Sequence, residues 1–528
     1  AHRHAPIRKW TVRLLADERN VSPPIAQQLA DLAKTEPDVR VRMQLAASAQ
    51  RLPAKQALPI LETLLARDVD RDDPYAPLLL WWALERHAIN AMDELVAFFT
   101  SPGVWKSALA REVIQERLMR RWTAEGTSRA DDACARLLAT APDAAQRQRL
   151  LAALEQGFHD RPARPVGFGS GGLFASAAVA EIPTNRPPAR FEQVTPALSA
   201  QLDSLWHEDT SDPALIRVAA RTGRRSALTR ARELVADAGF APDLRHDLIR
   251  LLGELGEASD LERLLGLVGN APESLQLAAL DALPNIEAPM PGTELLQRYT
   301  RLDERVRARV RQVLLSRKAW AGELLRAVDN GRLPAADFGL AELRVVALHE
   351  DAALNELLKK HWGKLSSGSP EERLAEMRRL NNDLNAGPGD PNRGRAVFSR
   401  VCAACHAMDG AGGGIGPDLT QVNRADRDFL LASLVDPSAV IRKEFLAYEV
   451  ETRDGRVLSG VIVSQTGGEL TLGTGTGERV VLPRAQIVAL RESALSVMPE
   501  GLLKGLAPLE VRDLFGFLQR GSPINSKP

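Results

Sequence analysis

Helical periodicity runs through the first 380 residues of this 528-residue chain and limits what most of it can fold into. Apolar side chains recur there at positions i, i+3, i+4 and i+7, which line one face of an amphipathic helix. Residues 7–15 are echoed 32 residues later by residues 39–46, and further echoes begin at Leu215, Leu248, Leu275 and Val306. One helix pair of this length cannot bury its apolar stripe alone, so we expect neighbouring pairs to stack.

Aspartate and proline mark the places where the repeated helices start. Pro37-Asp38, Asp212-Pro213 and Pro242-Asp243 each precede an echo, and such pairs stop one helix and cap the next. The pattern resembles HEAT repeats and predicts an α-solenoid over residues 1–157 and 193–380. A disconnected helical bundle is the alternative that the sequence leaves open.

A proline- and glycine-rich segment interrupts the helical pattern. Residues 158–192 are predicted to form a linker or long loop between the two sets of repeats. The glycine-rich run at 167–172 is no phosphate loop, because no strand precedes it and no Lys-Ser/Thr follows it. Within the repeats, Trp81 and Trp82 are predicted to be core aromatics, and Cys134 a buried small residue.

The motif Cys402-Ala403-Ala404-Cys405-His406 lies near the C-terminal end of the chain. Two thiols at this spacing can form thioethers to the two vinyl groups of one porphyrin, and the histidine can then bind the iron. A thioredoxin-like pair would open a helix in a βαβ unit, and half a zinc site would need further ligands. The sequence therefore predicts one covalently bound haem c with its iron.

The iron needs an axial ligand on each face, and the imidazole needs a partner for its outer N–H. His406 supplies the first ligand, and the carbonyl of Pro417 in the glycine-rich loop after it is the predicted partner. Met408 follows His406 too closely to reach the far face of the ring. Met498, 92 residues beyond His406, can do so, and the alternative for it is an ordinary core methionine. The predicted haem-binding set is therefore Cys402, Cys405, His406, Pro417 and Met498, with His406 and Met498 as metal ligands.

A haem domain is predicted over residues 386–522, with a first helix ending at Cys402 and a last helix packed against it near Gly394 and Phe398. Between the two ligands the helical period gives way to an alternating pattern over residues 446–492. Five short strands and a hairpin turn at Asp454-Gly455 are expected there. They predict a small β-barrel or sheet inserted into the domain, which covers the haem edge, forms a docking surface or is inert.

Composition excludes several other classes of protein. Lys+Arg and Asp+Glu both number 68, so no net charge favours nucleic acid or anionic lipid. No apolar run reaches membrane-spanning length. Three cysteines exclude a disulfide framework. The remaining histidines lack convincing ligand spacing and are predicted to be surface or capping residues: His2, His4, His87, His159, His207, His246, His349 and His361.

Residues 392–435 and 496–518 resemble class I cytochromes c. The similarity includes Gly416-Pro417-Asp418-Leu419 and Met498-Pro499 as well as the haem motif. Residues 452–460 and 496–503 further resemble the large haem-binding proteins of planctomycetes and verrucomicrobia. In many of those proteins a β-propeller similar to sugar dehydrogenases precedes the helices. The 528 residues contain no propeller, so dehydrogenase activity is not assigned to them.

These features together predict an electron-transfer protein that exchanges electrons with donor and acceptor proteins and is no enzyme by itself. Its donor would be a dehydrogenase domain absent from this chain or a separate partner. Covalent haem attachment takes place outside the bacterial cytoplasmic membrane, so a periplasmic or extracytoplasmic location is expected although the chain shows no signal sequence. The alternatives are a haem enzyme or sensor with an open distal site, and an interaction scaffold with incidental haem.

Overall fold

The computed structural model describes residues 2–161, 191–286, 292–363 and 369–520. Most of the predicted linker at 158–192, including the glycine-rich run at 167–172, lies outside these residues. In the described part of the chain 24 α-helices form, which confirms the mainly α fold. The described residues group into two compact units that divide at residues 244 and 245. The domain boundaries drawn from the sequence stay a prediction.

Twelve helices build the first unit within its described residues. They are α1 (Ala5–Leu15), α2 (Pro23–Thr35), α3 (Val39–Ala49), α4 (Ala54–Arg67), α5 (Ala76–His87), α6 (Met92–Phe99), α7 (Gln115–Glu125), α8 (Ser128–Ala139), α9 (Ala144–Asp160), α10 (Pro196–Glu208), α11 (Pro213–Arg221) and α12 (Arg225–Ala236). Helix α1 contacts α3, α2 contacts α4, and α3 contacts α5. Contacts two helices apart are what stacked helix pairs make. The solenoid itself stays a prediction.

Side-chain caps start two of these helices where the sequence indicates them. The Asp38 carboxylate accepts a hydrogen bond from the Arg40 backbone N–H at 2.9 Å, and Asp212 accepts one from Ala214 at 2.9 Å. Each cap satisfies a backbone donor that has no partner within its own helix.

Trp82 contradicts the prediction of a core aromatic, whereas His87 fits the capping alternative but not the surface one, since it contacts Ala49 at the end of α3. Trp82 is 46 % exposed, whereas Trp81 is buried. Adjacent residues on a helix point in directions about 100° apart, and α5 buries only one face. His87 lies on that buried face with Leu80 and Leu84, and its Nε2 is 3.2 Å from the Ala49 carbonyl oxygen. Cys134 is fully buried, as expected.

The second unit begins within α13 and contains helices, a short two-stranded pair and a five-stranded sheet. Its helices are α13 (Pro242–Leu255), α14 (Ala258–Leu267), α15 (Glu273–Ala282), α16 (Thr293–Tyr299), α17 (Glu304–Leu315), α18 (Lys318–Asp329), α19 (Leu340–Ala347), α20 (Ala352–Trp362), α21 (Pro370–Asn385), α22 (Pro391–Val401), α23 (Arg427–Val435) and α24 (Pro508–Leu518). Among the described helices of both units, none is long and apolar enough to span a bilayer.

Helices α22 and α24 pack closely because one of them lacks a side chain at the contact. A Cβ added to Gly394 would collide with the backbone carbonyl of Asp513. Beside this contact the rings of Phe398 and Phe517 lie 5.4 Å apart, centroid to centroid. The expected contact between the first and last helices of the haem domain is therefore present.

The inserted sheet confirms the change of pattern seen in the sequence. A short pair, β1 (Ala407–Met408) and β2 (Ala411–Gly412), precedes five antiparallel strands. These are β3 (Ala447–Thr452), β4 (Val457–Gln465), β5 (Glu469–Thr474), β6 (Arg479–Pro483) and β7 (Ile487–Glu492). Their order is β6-β5-β4-β3-β7, so the last strand returns to pair with the first. A small core of leucine, valine and isoleucine side chains lies within this sheet.

The sheet is bound to the helices of its own unit by backbone and charged contacts. The Val457 N–H donates to the Ser316 carbonyl at 2.8 Å. Arg317 pairs with Asp454 in the β3–β4 turn at 2.6 Å, and Arg309 pairs with Glu478 at 2.9 Å. Helices that precede the haem motif by about a hundred residues therefore fix the position of the insert.

Candidate haem site

The attachment motif continues directly from the end of α22. Asp390 caps this helix by accepting from the Asn392 N–H at 2.7 Å. At its other end the Cys402 N–H donates to the Phe398 carbonyl at 2.8 Å, and the His406 N–H donates to the Cys402 carbonyl at 2.9 Å. One tight turn therefore brings the two thiols and the imidazole together, which one porphyrin requires.

The glycine-rich loop after the motif folds back onto the motif itself. A Cβ on Gly416 would lie 2.6 Å from Cε1 of the His406 ring. Gly412 has a φ of +119°, and a Cβ there would collide with the His406 carbonyl. Glycine at these two positions lets the loop lie directly against the imidazole.

A backbone carbonyl fixes the orientation of the His406 ring. Its Nδ1 lies 2.9 Å from the carbonyl oxygen of Pro417, so Nδ1–H donates and Nε2 is left for a metal. Burial lowers the pKa of His406, although the Pro417 contact opposes that shift. A buried imidazole that is neutral and held in one tautomer is suited to bind iron.

The two motif thiols are unlike those of a redox pair. Burial, and secondarily the neighbouring Cys405, raises the pKa of Cys402 to about 11, and burial also raises the pKa of Cys405. Redox-active pairs need a lowered pKa. Within the described ranges no group of three metal-binding side chains includes either thiol, so a zinc site finds no support there.

The two methionines after the motif have different surroundings. Met408 is buried in the domain core, and its sulfur lies 3.9 Å from Nη1 of Arg424. Met498 lies on the loop after β7, and its N–H donates to the Ser496 hydroxyl at 3.2 Å. It is half-buried against the same hydrophobic core that Cys402 contacts.

A Cytochrome c family model matches residues 391–444. These residues form a cytochrome c domain. The domain implies a covalently bound haem c with iron, and it makes the chain a haem-binding electron-transfer protein. Cys402, Cys405 and the His406–Pro417 contact fit this group, since they offer two thiols and an oriented imidazole. A comparison with curated proteins found no match.

Part of the inserted sheet touches the attachment turn of the cytochrome c domain. At Gly477, in the β5–β6 turn, an added Cβ would lie 2.7 Å from the Ala404 Cβ. Next to this contact a cleft of about 480 Å³ lies between the turn and helices α13, α15 and α17. The insert therefore covers one side of the motif.

Sequence reasoning missed two charged groups that hold the domain together. Arg424 is 3 % exposed and donates to the Leu518 carbonyl at 2.9 Å, at the end of α24. Arg344 of α19 pairs with Glu500, two residues after Met498. Neither has a local sequence signal, because isolated charges among 136 charged residues form no pattern.

Proposed function

We propose that this chain is an extracytoplasmic one-electron carrier in which His406 and Met498 bind the iron of a single haem c. When bound, the haem supplies reversible ferric–ferrous exchange. Cys402 and Cys405 hold it covalently, because each thiol adds across one vinyl group to form a thioether. The Pro417 carbonyl keeps His406 Nε2 directed to the metal.

The contact between His406 and Pro417 carries the proposal, because it holds His406 in the tautomer that leaves Nε2 free. The position of Met498 agrees with it, since Met498 packs against the core that also contacts Cys402. Met408, the other methionine after the motif, is buried, and its sulfur contacts the guanidinium group of Arg424. A thioether ligand raises the reduction potential and closes the distal face to other ligands, which suits electron transfer better than haem catalysis.

The partners proposed are a donor and an acceptor protein. The resemblance to the planctomycete and verrucomicrobial haem proteins makes a dehydrogenase, as a further domain or a separate protein, the favoured donor. The helical region, if it forms the HEAT-like solenoid, would be the scaffold on which that donor docks. Covalent haem attachment supports a periplasmic location.

Spectra of the haem-loaded full chain test the ligation. We expect a low-spin ferrous spectrum that carbon monoxide leaves unchanged, and a sulfur-to-iron charge-transfer band in the ferric protein. Met498→Ala should lose that band, bind carbon monoxide and have a lower reduction potential, because the thioether is gone. Met408→Ala is the matched control and should keep all three properties.

Two results would contradict this function. A wild-type haem that is high-spin and binds carbon monoxide would favour an enzyme or sensor with an open distal site. Partners that bind the helical region equally well with and without haem would favour an interaction scaffold.

A further inference from the structure

The loop that carries Met498 is held from three sides. On the cytochrome c side, the Ser496 N–H donates to the Ser438 hydroxyl at 3.1 Å. On the side of the sheet, a Cβ on Gly475 would lie 2.8 Å from the Val497 carbonyl oxygen. On the helical side, Arg344 of α19 donates to Glu500 at 2.7 Å. Only the last of these contacts is charged.

In this ion pair the Glu500 carboxylate is buried and Arg344 is partly buried. The Glu500 side chain is 6 % exposed and that of Arg344 is 16 % exposed. One further polar atom of each side chain, Oε2 of Glu500 and Nε of Arg344, is buried without a hydrogen-bond partner among the described residues. Arg344 is therefore the cation that compensates the buried carboxylate, and its removal would leave that charge unpaired.

An unpaired buried carboxylate draws its backbone toward water, because burying an uncompensated charge is strongly unfavourable. Glu500 is two residues from Met498, so that movement would displace the methionine sulfur. The helix that supplies Arg344 lies outside the cytochrome c domain. The same helix also contacts the loop indirectly, since Gly475 is wedged between Val497 and Ala341.

We propose that Arg344 is a positioning residue for the distal haem ligand. Through Glu500 it holds the Met498 loop in place, so that α19 helps to determine the ligation of the iron and the reduction potential of the haem. This inference rests on the proposed function, in which Met498 binds the iron. It assigns α19 a role in the redox centre that a passive scaffold would not have.

The test uses the haem-loaded full chain with substitutions at both ends of the pair. Arg344→Met should weaken the ferric charge-transfer band, lower the reduction potential and raise carbon monoxide binding by the ferrous protein at least about tenfold. Breaking a buried pair from one side costs more free energy than a factor of ten represents. Arg344→Lys keeps the charge and should retain the band.

The double variant separates positioning from packing. Glu500→Gln removes the buried charge, so Arg344→Met/Glu500→Gln should bind carbon monoxide less than Arg344→Met does. Arg317→Met is the matched control, because Arg317 also joins the helices to the sheet, at Asp454, away from the Met498 loop. It should leave the band and the potential unchanged.

Each outcome decides the inference. A wild-type protein without the charge-transfer band would overturn both the function and the inference. A wild type with the band, together with an unchanged Arg344→Met, would overturn the inference alone. An equal loss in Arg317→Met and Arg344→Met would also overturn it, because the effect would then be general loosening. If Arg344→Met does not fold, Arg344→Gln decides, because it also removes the cation from the Glu500 carboxylate: carbon monoxide binding above wild type supports the inference, and binding equal to wild type overturns it.

Discussion

The first helical unit and the cytochrome c domain are both rich in helices, but they depend on different contacts. In the first unit, large side chains fill the space between helices, as fully buried Trp122 and Phe99 do. In the cytochrome c domain the decisive contacts occur where a side chain is missing, at Gly394 against α24 and at Gly416 against His406. Each region also contains the other kind of contact, since Gly157 of α9 lies against Thr123 of α7 and Phe515 is buried in the core of the cytochrome c domain. The contact around His406, however, exists only because Gly416 has no side chain.

The two regions should differ most clearly in their cysteines. Cys402→Ala/Cys405→Ala should abolish covalent haem, because no thiol remains to form a thioether; haem staining after denaturing electrophoresis measures this. Cys134→Ala makes the same chemical change in the first unit. It should keep the stain and lower the free energy of unfolding by about 1 kcal/mol, through loss of a buried group. Haem staining of Cys402→Ala/Cys405→Ala would show that these two thiols are not the attachment points of the haem.

Two glycine substitutions in the second unit test whether a missing side chain at a helix contact matters. Gly394→Ala should lower the free energy of unfolding of the second unit by about 1–3 kcal/mol, because the new methyl group collides with the Asp513 backbone. Gly266→Ala, in exposed surroundings on α14 with no atom within 4 Å of the new Cβ, should raise it by up to about 1 kcal/mol. Denaturant unfolding followed by circular dichroism measures both. A neutral Gly394→Ala would show that α22 and α24 can separate without cost.

The smallest effect should be a pH dependence of the first unit. Burial removes water from the His87 imidazole and so lowers the pKa of His87 below its ordinary value of 6.5. The unfolded chain then binds more protons, so the stability that His87 contributes is present above about pH 6.5 and declines as the pH falls. The slope should approach at most about 1.4 kcal/mol per pH unit.

Unfolding titrations between neutral and acid pH check this slope. His87→Gln should flatten it, whereas His207→Gln, at an exposed position of α10, should leave it unchanged. A slope that survives His87→Gln would assign the acid sensitivity to another group.

Local patterns made much of this fold predictable. The caps Asp38 and Asp212 start helices as expected, and the five strands of the insert form where the alternation occurs. Trp82 was misjudged and the burial of His87 was not foreseen, because hydropathy does not tell which face of α5 is covered. That face is set by neighbouring helices, and so only by tertiary packing.

The amino-acid sequence by itself determined the helical period, the covalent haem and the strands between the two predicted ligands, because each of these is encoded within a few neighbouring residues. Only the tertiary structure decided that Arg344 meets Glu500 across 156 residues and that the insert covers the attachment turn at Gly477. Ion pairs and backbone contacts between distant segments leave no periodic trace in a sequence, since they depend on where whole elements pack.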